Sequence, residues 1–297
     1  MYPTPLISAL LSNKVKRDDV VDEVVRTLVL SGANVRMTVP STFYNALATA
    51  CYGANPGTIN FFIDRGGFPN FADPISGILP IHFAAASGIA NFQTIFLPYR
   101  GDMMATDNHA KNCLHWAAQF GNSRTVDYIL SRWQSQPNRS RAVARAEIDG
   151  WTPLCWAVCP LESGICYPMR SERKDHVKTV RILLQHGASP TTEFHRGEEI
   201  LTPLDLAQRC DAGNKIISLL REHLDPESQS FSEPISKHIR KYTTHHGICN
   251  LCLNCIVGKL YTCSACPDYD LCSKCYPVAD SLHNQDILKD TRSIPSA

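Results

Sequence analysis

Residues 149–157 read Asp-Gly-Trp-Thr-Pro-Leu-Cys-Trp-Ala, and related segments recur along the first two thirds of the chain. The relatives are Leu201-Thr-Pro-Leu-Asp-Leu-Ala207, Leu79-Pro-Ile-His-Phe-Ala-Ala-Ala86, Asn112-Cys-Leu-His-Trp-Ala-Ala118, Thr4-Pro-Leu-Ile-Ser-Ala9 and the weaker Asn45-Ala-Leu-Ala-Thr-Ala50. Taking Leu6, Leu47, Ile81, Leu114, Leu154 and Leu204 as equivalent gives steps of 41, 34, 33, 40 and 50 residues. Such a period is typical of a repeat protein.

Each repeating unit has the same local logic. A Thr or another small polar residue ends a turn, Pro takes the first helical position, and Leu and Ala build a thin first helix. A glycine such as Gly88 or Gly121 stops that helix, and a second, amphipathic run follows. Examples of the second run are Val126/Ile129/Leu130, Val177/Val180/Leu183/Leu184 and Ile216/Leu219/Leu220.

The units resemble ankyrin repeats, whose consensus includes Thr-Pro-Leu-His-x-Ala-Ala and a closing Gly-Ala-Asp/Asn. Gly-Ala-Asn at 32–34 and Gly-Ala-Ser at 187–189 match the closing signal. The resemblance covers residues 1–225 and implies about six repeats in an α-solenoid, rather than unrelated helices of one domain. The longer steps then contain insertions, which we place at 160–175 between the two helices of repeat five and at 12–19 in repeat one.

Composition and charge exclude several classes of function. The chain has 297 residues, 44% hydrophobic and 19% charged, with a formal net charge of +1. It should fold, and it lacks the basic excess of a protein that binds nucleic acid through phosphates. Residues 1–14 have no charged region before their short apolar stretch, and no apolar run is long enough for a membrane span. We therefore expect an intracellular protein, cytoplasmic or nuclear, with protein or peptide partners and no membrane or nucleic-acid partner. The oligomeric state is not indicated.

The repeats offer no catalytic constellation. His82 and His115 occupy the motif's His position, and the resemblance implies a structural hydrogen bond from each imidazole across the turn to the adjacent repeat. No carboxylate or Cys stands at catalytic spacing to them. Trp116, Trp151 and Trp156 are interpreted as packing residues, with anchoring of a ligand in the concave groove as the alternative.

Seven of the thirteen cysteines fall between Cys249 and Cys275, while the other six are scattered and are interpreted as small core residues. The cluster contains three Cys-x2-Cys pairs, at 249/252, 263/266 and 272/275, followed by His283. Two such pairs complete one tetrahedral zinc site, so three pairs predict two zinc ions with interleaved ligands. A disulfide framework is the alternative, and the absence of a secretory signal disfavours it.

The cluster resembles a ZZ-type zinc finger, above all in the run Cys266-Pro-Asp-Tyr-Asp-Leu-Cys272. The resemblance implies that one zinc is held by Cys249, Cys252, Cys272 and Cys275. It implies that the second is held by Cys263, Cys266 and two residues of the tail, normally both His. His283 matches the first of these, and Asp286 is our choice for the second because a carboxylate oxygen can replace imidazole.

Alternatives remain for the eighth ligand. His245 or His246 could supply it from upstream, or water could complete the site. Cys255 repeats the two-residue spacing after Cys252, but the ZZ pattern has no ligand there, and we interpret it as a spare thiol.

A ubiquitin-pathway ligase of the RING type also interleaves two zinc ions and is the enzyme class to exclude. RING patterns require a His between the second and third Cys pairs, whereas residues 267–271 contain none. Nucleic-acid binding by the finger is also disfavoured, since residues 245–290 carry three Lys and no Arg against five Asp.

The acidity suggests a different ligand. ZZ domains of several families bind a free protein N-terminus through carboxylates, and by this resemblance Asp268 and Asp270 match two of them. Asn250 stands where a third acidic residue usually follows the first zinc Cys. The alternative is that Asp268 and Asp270 only stabilise the knuckles.

The sequence therefore predicts a mainly α protein. It divides into an ankyrin array at 1–225, a linker at 226–244, a ZZ finger at 245–290 and a tail at 291–297. The predicted function is that of a non-enzymatic adaptor, in which the array holds one protein and the finger engages another. The alternatives are a ubiquitin-pathway ligase or ligase subunit, and a finger that only caps the array.

Overall fold

The structure is a computed structural model of the chain. It describes residues 4–10, 18–36, 45–73, 76–99, 102–133, 136–148, 150–159, 174–196, 199–210, 212–224, 244–249, 255–257, 260–263, 270–272, 276 and 288–290. The described residues form thirteen helices and seven short strands. None of the described helices has the length and apolar character needed to cross a membrane.

The helices alternate between an inner and an outer row. The inner helices are α1 (Pro5–Leu10), α3 (Ala46–Gly53), α5 (Pro80–Ser87), α7 (Cys113–Gln119), α10 (Pro153–Val158) and α12 (Pro203–Arg209). The outer helices are α2 (Asp18–Leu30), α4 (Pro56–Asp64), α6 (Ile89–Tyr99), α8 (Ser123–Arg132), α11 (His176–Gln185) and α13 (Asn214–Glu222). Each inner helix packs on the outer helix that follows it and on the inner helix of the neighbouring pair, which is the stacking of a solenoid.

The predicted local signals lie where the helices begin and end. Pro80, Pro153 and Pro203 are the first residues of inner helices, and Thr202 caps α12 by accepting a hydrogen bond from the Asp205 amide at 3.2 Å. Gly121 follows α7 with φ +65°, a left-handed backbone conformation that favours glycine. A Cβ at this position would also meet the His176 ring at 2.8 Å.

Small residues allow the inner row to pack closely. Ala84, Ala85, Ala117 and Ala118 are fully buried, and aromatic side chains of neighbouring inner helices also contact one another. Phe83 lies 5.6 Å from Tyr52 and 5.7 Å from Trp116, measured between ring centroids. Helix-to-helix contacts of this kind supply most of the stability of short helices.

The structure describes only some of the residues that lengthen the steps between repeats. The 40-residue step contains an extra helix, α9 (Gln136–Ala144), which packs on α10. The 50-residue step contains residues 160–173, which lie outside the described residues, as do 11–17 of the repeat-one insertion. Asp18 and Asp19, which the sequence assigned to that insertion, are the first residues of α2.

Short strands occur at two places. In the last described repeat, β1 (Phe194–Arg196) pairs antiparallel with β2 (Glu199–Leu201) before α12. After residue 243, β3 (Thr244–Ile248) pairs with β4 (Cys255–Val257). A three-stranded antiparallel sheet has β5 (Leu260–Cys263) at its centre, between β6 (Asp270–Cys272) and β7 (Leu288–Asp290).

Candidate binding surface and metal centre

The two motif histidines connect neighbouring repeats. His82 Nδ1 accepts a hydrogen bond from the Leu79 amide at 3.2 Å, and its Nε2 lies 3.0 Å from the Ala105 carbonyl oxygen. His115 Nε2 lies likewise 3.0 Å from the Arg145 carbonyl oxygen. Both imidazoles are fully buried. They have the structural role that the motif implied.

Burial also fixes the protonation of these imidazoles. Desolvation, with the nearby Lys111 charge as a further cause, lowers the pKa of His115 to about 3. Desolvation lowers the pKa of His82 as well, in spite of the Asp107 carboxylate. Each ring is therefore neutral at pH 7, with Nε2–H donating to the carbonyl.

The turns that connect the helix pairs form a second feature. Each turn is closed by hydrogen bonds within its own backbone. Examples are the bonds from Asp107 N to Lys111 O and from Glu147 N to Trp151 O, both 3.0 Å long. Adjacent turns also bond to one another. The Asn108 amide donates to Ser76 O at 2.8 Å, and the Ile148 amide donates to His109 O at 3.0 Å.

Three large apolar side chains on or beside these turns are exposed. Phe71 leads into the first described turn, Ile148 lies in the third, and Ile200 lies in β2 of the last. Their exposed fractions are 40%, 66% and 56%. We call these three side chains the turn surface. Sequence reasoning did not select them, because residues that vary between repeats carry no motif.

The tryptophans are mainly packing residues. Trp116 is fully buried, and its Nε1 donates to Asp107 Oδ2 at 3.0 Å. Lys111 Nζ lies between the Trp116 and Trp156 rings, 4.2 and 4.3 Å from their centroids. Trp151 is half-buried and lies 4.8 Å from Trp156 and 5.6 Å from Phe194, so it bridges two repeats.

The described part of the cysteine cluster contains three of the eight predicted zinc ligands. Cys249, Cys263 and Cys272 are buried. The other predicted ligands lie outside the described residues, namely Cys252, Cys266, Cys275, His283 and Asp286, and so do Asn250 and Asp268 of the predicted peptide site. The side chains of His245, His246 and Cys255 lie outside them as well. Among the described residues, no three metal-binding side chains come together.

The strand register separates two of the buried thiols. Leu260, the first residue of β5, pairs with Cys272, whereas Cys263, the last residue of β5, pairs with Leu288. Cys272 and Cys263 therefore lie at opposite ends of one strand, roughly 10 Å apart along it. One tetrahedral zinc with sulfur ligands at about 2.3 Å cannot bind both, so this donor set fits two metal sites rather than one.

One carboxylate of the predicted peptide site is described. Asp270 is half-buried in β6, and its Oδ1 accepts a hydrogen bond from Thr262 Oγ1 on β5 at 2.9 Å. Thr262 and Asp270 are direct cross-strand partners. Nearby, the Tyr261 and Tyr276 rings stack at 3.9 Å.

The fold and the thiol arrangement define a helical repeat protein that carries a small zinc-stapled module. A family model described as ankyrin repeats in three copies matches residues 47–141 and, again, residues 81–193. The family model of the ZZ-type zinc finger matches residues 243–286. The chain therefore carries ankyrin repeats followed by a ZZ-type zinc finger, a zinc-binding module that typically holds two Zn²⁺ ions. No curated protein matches the chain.

Both families are binding modules, and such domains typically mediate interactions between proteins. The match to the repeat family spans residues 47–193. The helix pairs α1/α2 and α12/α13 extend the same stacking on either side of that range.

Proposed function

We propose that the protein is a zinc-dependent adaptor that brings two proteins together inside the cell. The observation that carries this proposal is the presence of two different protein-binding modules in one chain. Tethering raises the effective concentration of one bound protein near the other, and no bond-making chemistry is required for that effect. The proposed compartments are the cytoplasm and the nucleus, where thiolates remain available for zinc.

The turn surface is the proposed contact of the array with its partner. Ile148 is 66% exposed, yet its backbone is held by the hydrogen bond that its amide donates to His109 O in the preceding turn. Because the backbone is already fixed, binding at this position costs less conformational entropy than binding through a mobile loop would. The turns of neighbouring repeats place several such side chains along the array, as extended repeat surfaces do.

In the finger, we assign one zinc to Cys249, Cys252, Cys272 and Cys275. The second is assigned to Cys263, Cys266, His283 and Asp286. Two contacts support this division. Strand β3, which Cys249 follows, packs on β6, which contains Cys272. Strand β7, which begins two residues after Asp286, runs beside Cys263. His245, His246 and water remain the alternatives for Asp286.

The proposed ligand of the finger is a free protein N-terminus, with Asp268 and Asp270 accepting from the α-ammonium group and Asn250 adding a neutral acceptor. The bond from Thr262 supports this role for Asp270, because it fixes the carboxylate before a ligand arrives. A charge-assisted hydrogen bond of this kind contributes about 1.5–3 kcal/mol.

Peptides that differ only in N-terminal acetylation test the finger. We expect full-length protein to bind the free peptide at least about tenfold more tightly, and Asp270→Asn to remove most of that difference. Asp290→Asn in β7 is the matched carboxylate control and should preserve it. Equal affinities for free and acetylated peptides in the wild type would rule out N-terminus recognition while leaving the zinc assignment intact.

Two variants of the full chain test the adaptor role. Ile148→Asp with Ile200→Asp alters the turn surface, and Cys272→Ser alters a zinc ligand. Proteins cross-linked in cells should divide into two sets, each lost with one variant, and purified members of the two sets should form a ternary complex only with wild type. Leu97→Asp, at a 56% exposed side chain of the outer helix α6, is the control.

Loss of the same proteins from both variants would indicate one composite site instead. Robust ubiquitin discharge from a charged conjugating enzyme would favour the ligase alternative.

A further inference from the structure

Two of the scattered cysteines meet between repeats. Cys159 follows the inner helix α10, and Cys210 follows the inner helix α12, which packs on it. Their Sγ atoms are 2.8 Å apart. This distance is shorter than the van der Waals separation of two unbonded sulfur atoms, and it is less than 1 Å longer than the 2.03–2.05 Å of a disulfide.

This pair differs from the other described cysteines of the array. Cys51, Cys113 and Cys155 are fully buried. Burial raises the pKa of the Cys155 thiol to about 11, and it raises the pKa values of Cys51 and Cys113 still further. Such thiols are inert toward oxidants because the thiolate is the reactive form. Cys159 and Cys210, by contrast, are both only half-buried, so full burial does not shield them from solutes.

We propose that Cys159 and Cys210 form a reversible disulfide in the presence of a hydroperoxide, and that this bond staples the last two described repeats together. One thiolate attacks the peroxide oxygen, which breaks the O–O bond, gives a sulfenic acid and releases water or an alcohol. The second thiol then attacks the sulfenic sulfur and expels water. Two thiols are thereby oxidised to one disulfide while the hydroperoxide is reduced. A dithiol reductant reverses the reaction by thiol–disulfide exchange.

The position of the pair gives the bond a mechanical consequence. Helices α12 and α13 form the last helix pair of the described array, and they pack on α10 and α11. Terminal units of a solenoid open locally more readily than central units. The disulfide would close a loop from Cys159 to Cys210 that includes the 160–173 insertion, and cross-linking a loop of that length restricts the opened state strongly. The terminal pair is therefore expected to open less when oxidised.

The test uses zinc-loaded full-length protein treated with hydrogen peroxide, then alkylated and mapped by mass spectrometry. We expect a peptide pair linked through Cys159 and Cys210, with the loss of two hydrogens, which dithiothreitol abolishes. In hydrogen–deuterium exchange, the amides of α12 and α13 should exchange at least about tenfold more slowly after oxidation. Cys159→Ser and Cys210→Ser should each remove this protection.

Cys155→Ala, within α10 and four residues before Cys159, is the matched control and should retain both the link and the protection. Tryptophan fluorescence reports whether each variant is folded. A wild type that oxidises at other cysteines without forming the 159–210 link would overturn the proposal. A link that forms but leaves exchange in α12 and α13 unchanged would overturn the stapling.

Discussion

At the scale of single residues, the buried imidazoles do two things at once. His115 Nδ1 accepts a hydrogen bond from the Asn112 backbone amide at the start of its own helix, and Nε2 donates to Arg145 O across the turn. Only the neutral ring does both, because a protonated Nδ1 cannot accept. Protonation would therefore replace the bond from the Asn112 backbone amide with one to Asn112 Oδ1, which lies 2.8 Å from Nδ1, and would place a charge in the core.

This gives a pH-dependent stability. The pKa of His115 is lowered to about 3 in the folded protein and is about 6.5 in an unfolded chain. Between these values the unfolded state binds more protons, so the contribution is fully present above pH 6.5 and is lost as pH falls toward 3. We expect the free energy of unfolding to drop between pH 7 and pH 5 by about 1–2 kcal/mol more in wild type than in His115→Gln.

Urea unfolding followed by tryptophan fluorescence measures this difference in the array alone, since all four Trp residues lie between 116 and 156. The comparison concerns slopes with pH, so a lower absolute stability of the variant does not matter. Equal slopes in the two proteins would contradict a neutral His115.

The tail ligands yield the second residue-scale prediction. Native mass spectrometry of wild-type chain should show two zinc ions, and His283→Ala and Asp286→Ala should each leave one, because three ligands hold structural zinc poorly. Asp280→Ala is the matched control and should retain two. Two zinc ions in Asp286→Ala would assign the eighth ligand to His245, His246 or water.

The sequence predicted the residues that carry a motif and missed those whose role depends on pairing. His82 and His115 were identified with their cross-turn role because the motif fixes their position on the helix. The bond from Thr262 to Asp270 was not predicted, since it depends on strand register. The Cys159–Cys210 pair had a signal, because the two residues follow the equivalent Leu154 and Leu204 by five and six positions. The sequence alone predicts core packing for both cysteines.

At the scale of helices, asparagine side chains also connect neighbouring helix pairs, at the C-terminal ends of the inner helices. Asn91 Nδ2 of α6 donates to Cys51 O at 3.2 Å and to Ala54 O at 2.8 Å, both at the end of α3. Asn122, just before α8, donates likewise to Ala85 O and Ala86 O at the end of α5. The last carbonyls of an inner helix have no partner within the helix, so the next repeat supplies the donor.

Removing one of these amides should separate neighbouring repeats. Asn91 is 7% exposed, and Asn91→Ala leaves two buried carbonyls without this donor. We expect a loss of about 1–3 kcal/mol in the free energy of unfolding, measured by urea denaturation with circular dichroism. Asn60→Ala, at an exposed position of α4, should change it by less than about 0.5 kcal/mol. A loss of the same size at Asn60 would mean that the Asn91 bonds contribute nothing specific.

Helix α9 shows where periodicity stops being informative. The 40-residue step between Leu114 and Leu154 indicated an insertion, but not that it is helical. Only the C-terminal end of α9 is described as buried, at Ala142 and Val143, and the residues before it in the sequence are polar. One apolar turn gives no 3.6-residue period to detect.

At the scale of the whole molecule, the two modules derive their stability from different sources. One apolar cluster runs through the array from Leu6 to Leu224, built from helices that stack pair on pair. The finger is a segment of about 45 residues, too short to bury a sufficient core, and such segments fold when metal binds. Stability of the array should therefore not depend on zinc, whereas folding of the finger should.

A zinc chelator separates the adaptor from the alternative in which the finger only caps the array. In the full chain, chelation should release both zinc ions and abolish N-terminal peptide binding. The thermal midpoint of the array, followed by tryptophan fluorescence, should shift by less than about 1 °C, because the apolar cluster is complete without the finger. Cys272→Ser without chelator should reproduce the peptide result. If the finger is a cap, chelation should instead lower the array midpoint by several degrees, since an exposed solenoid end lowers the stability of the repeats behind it.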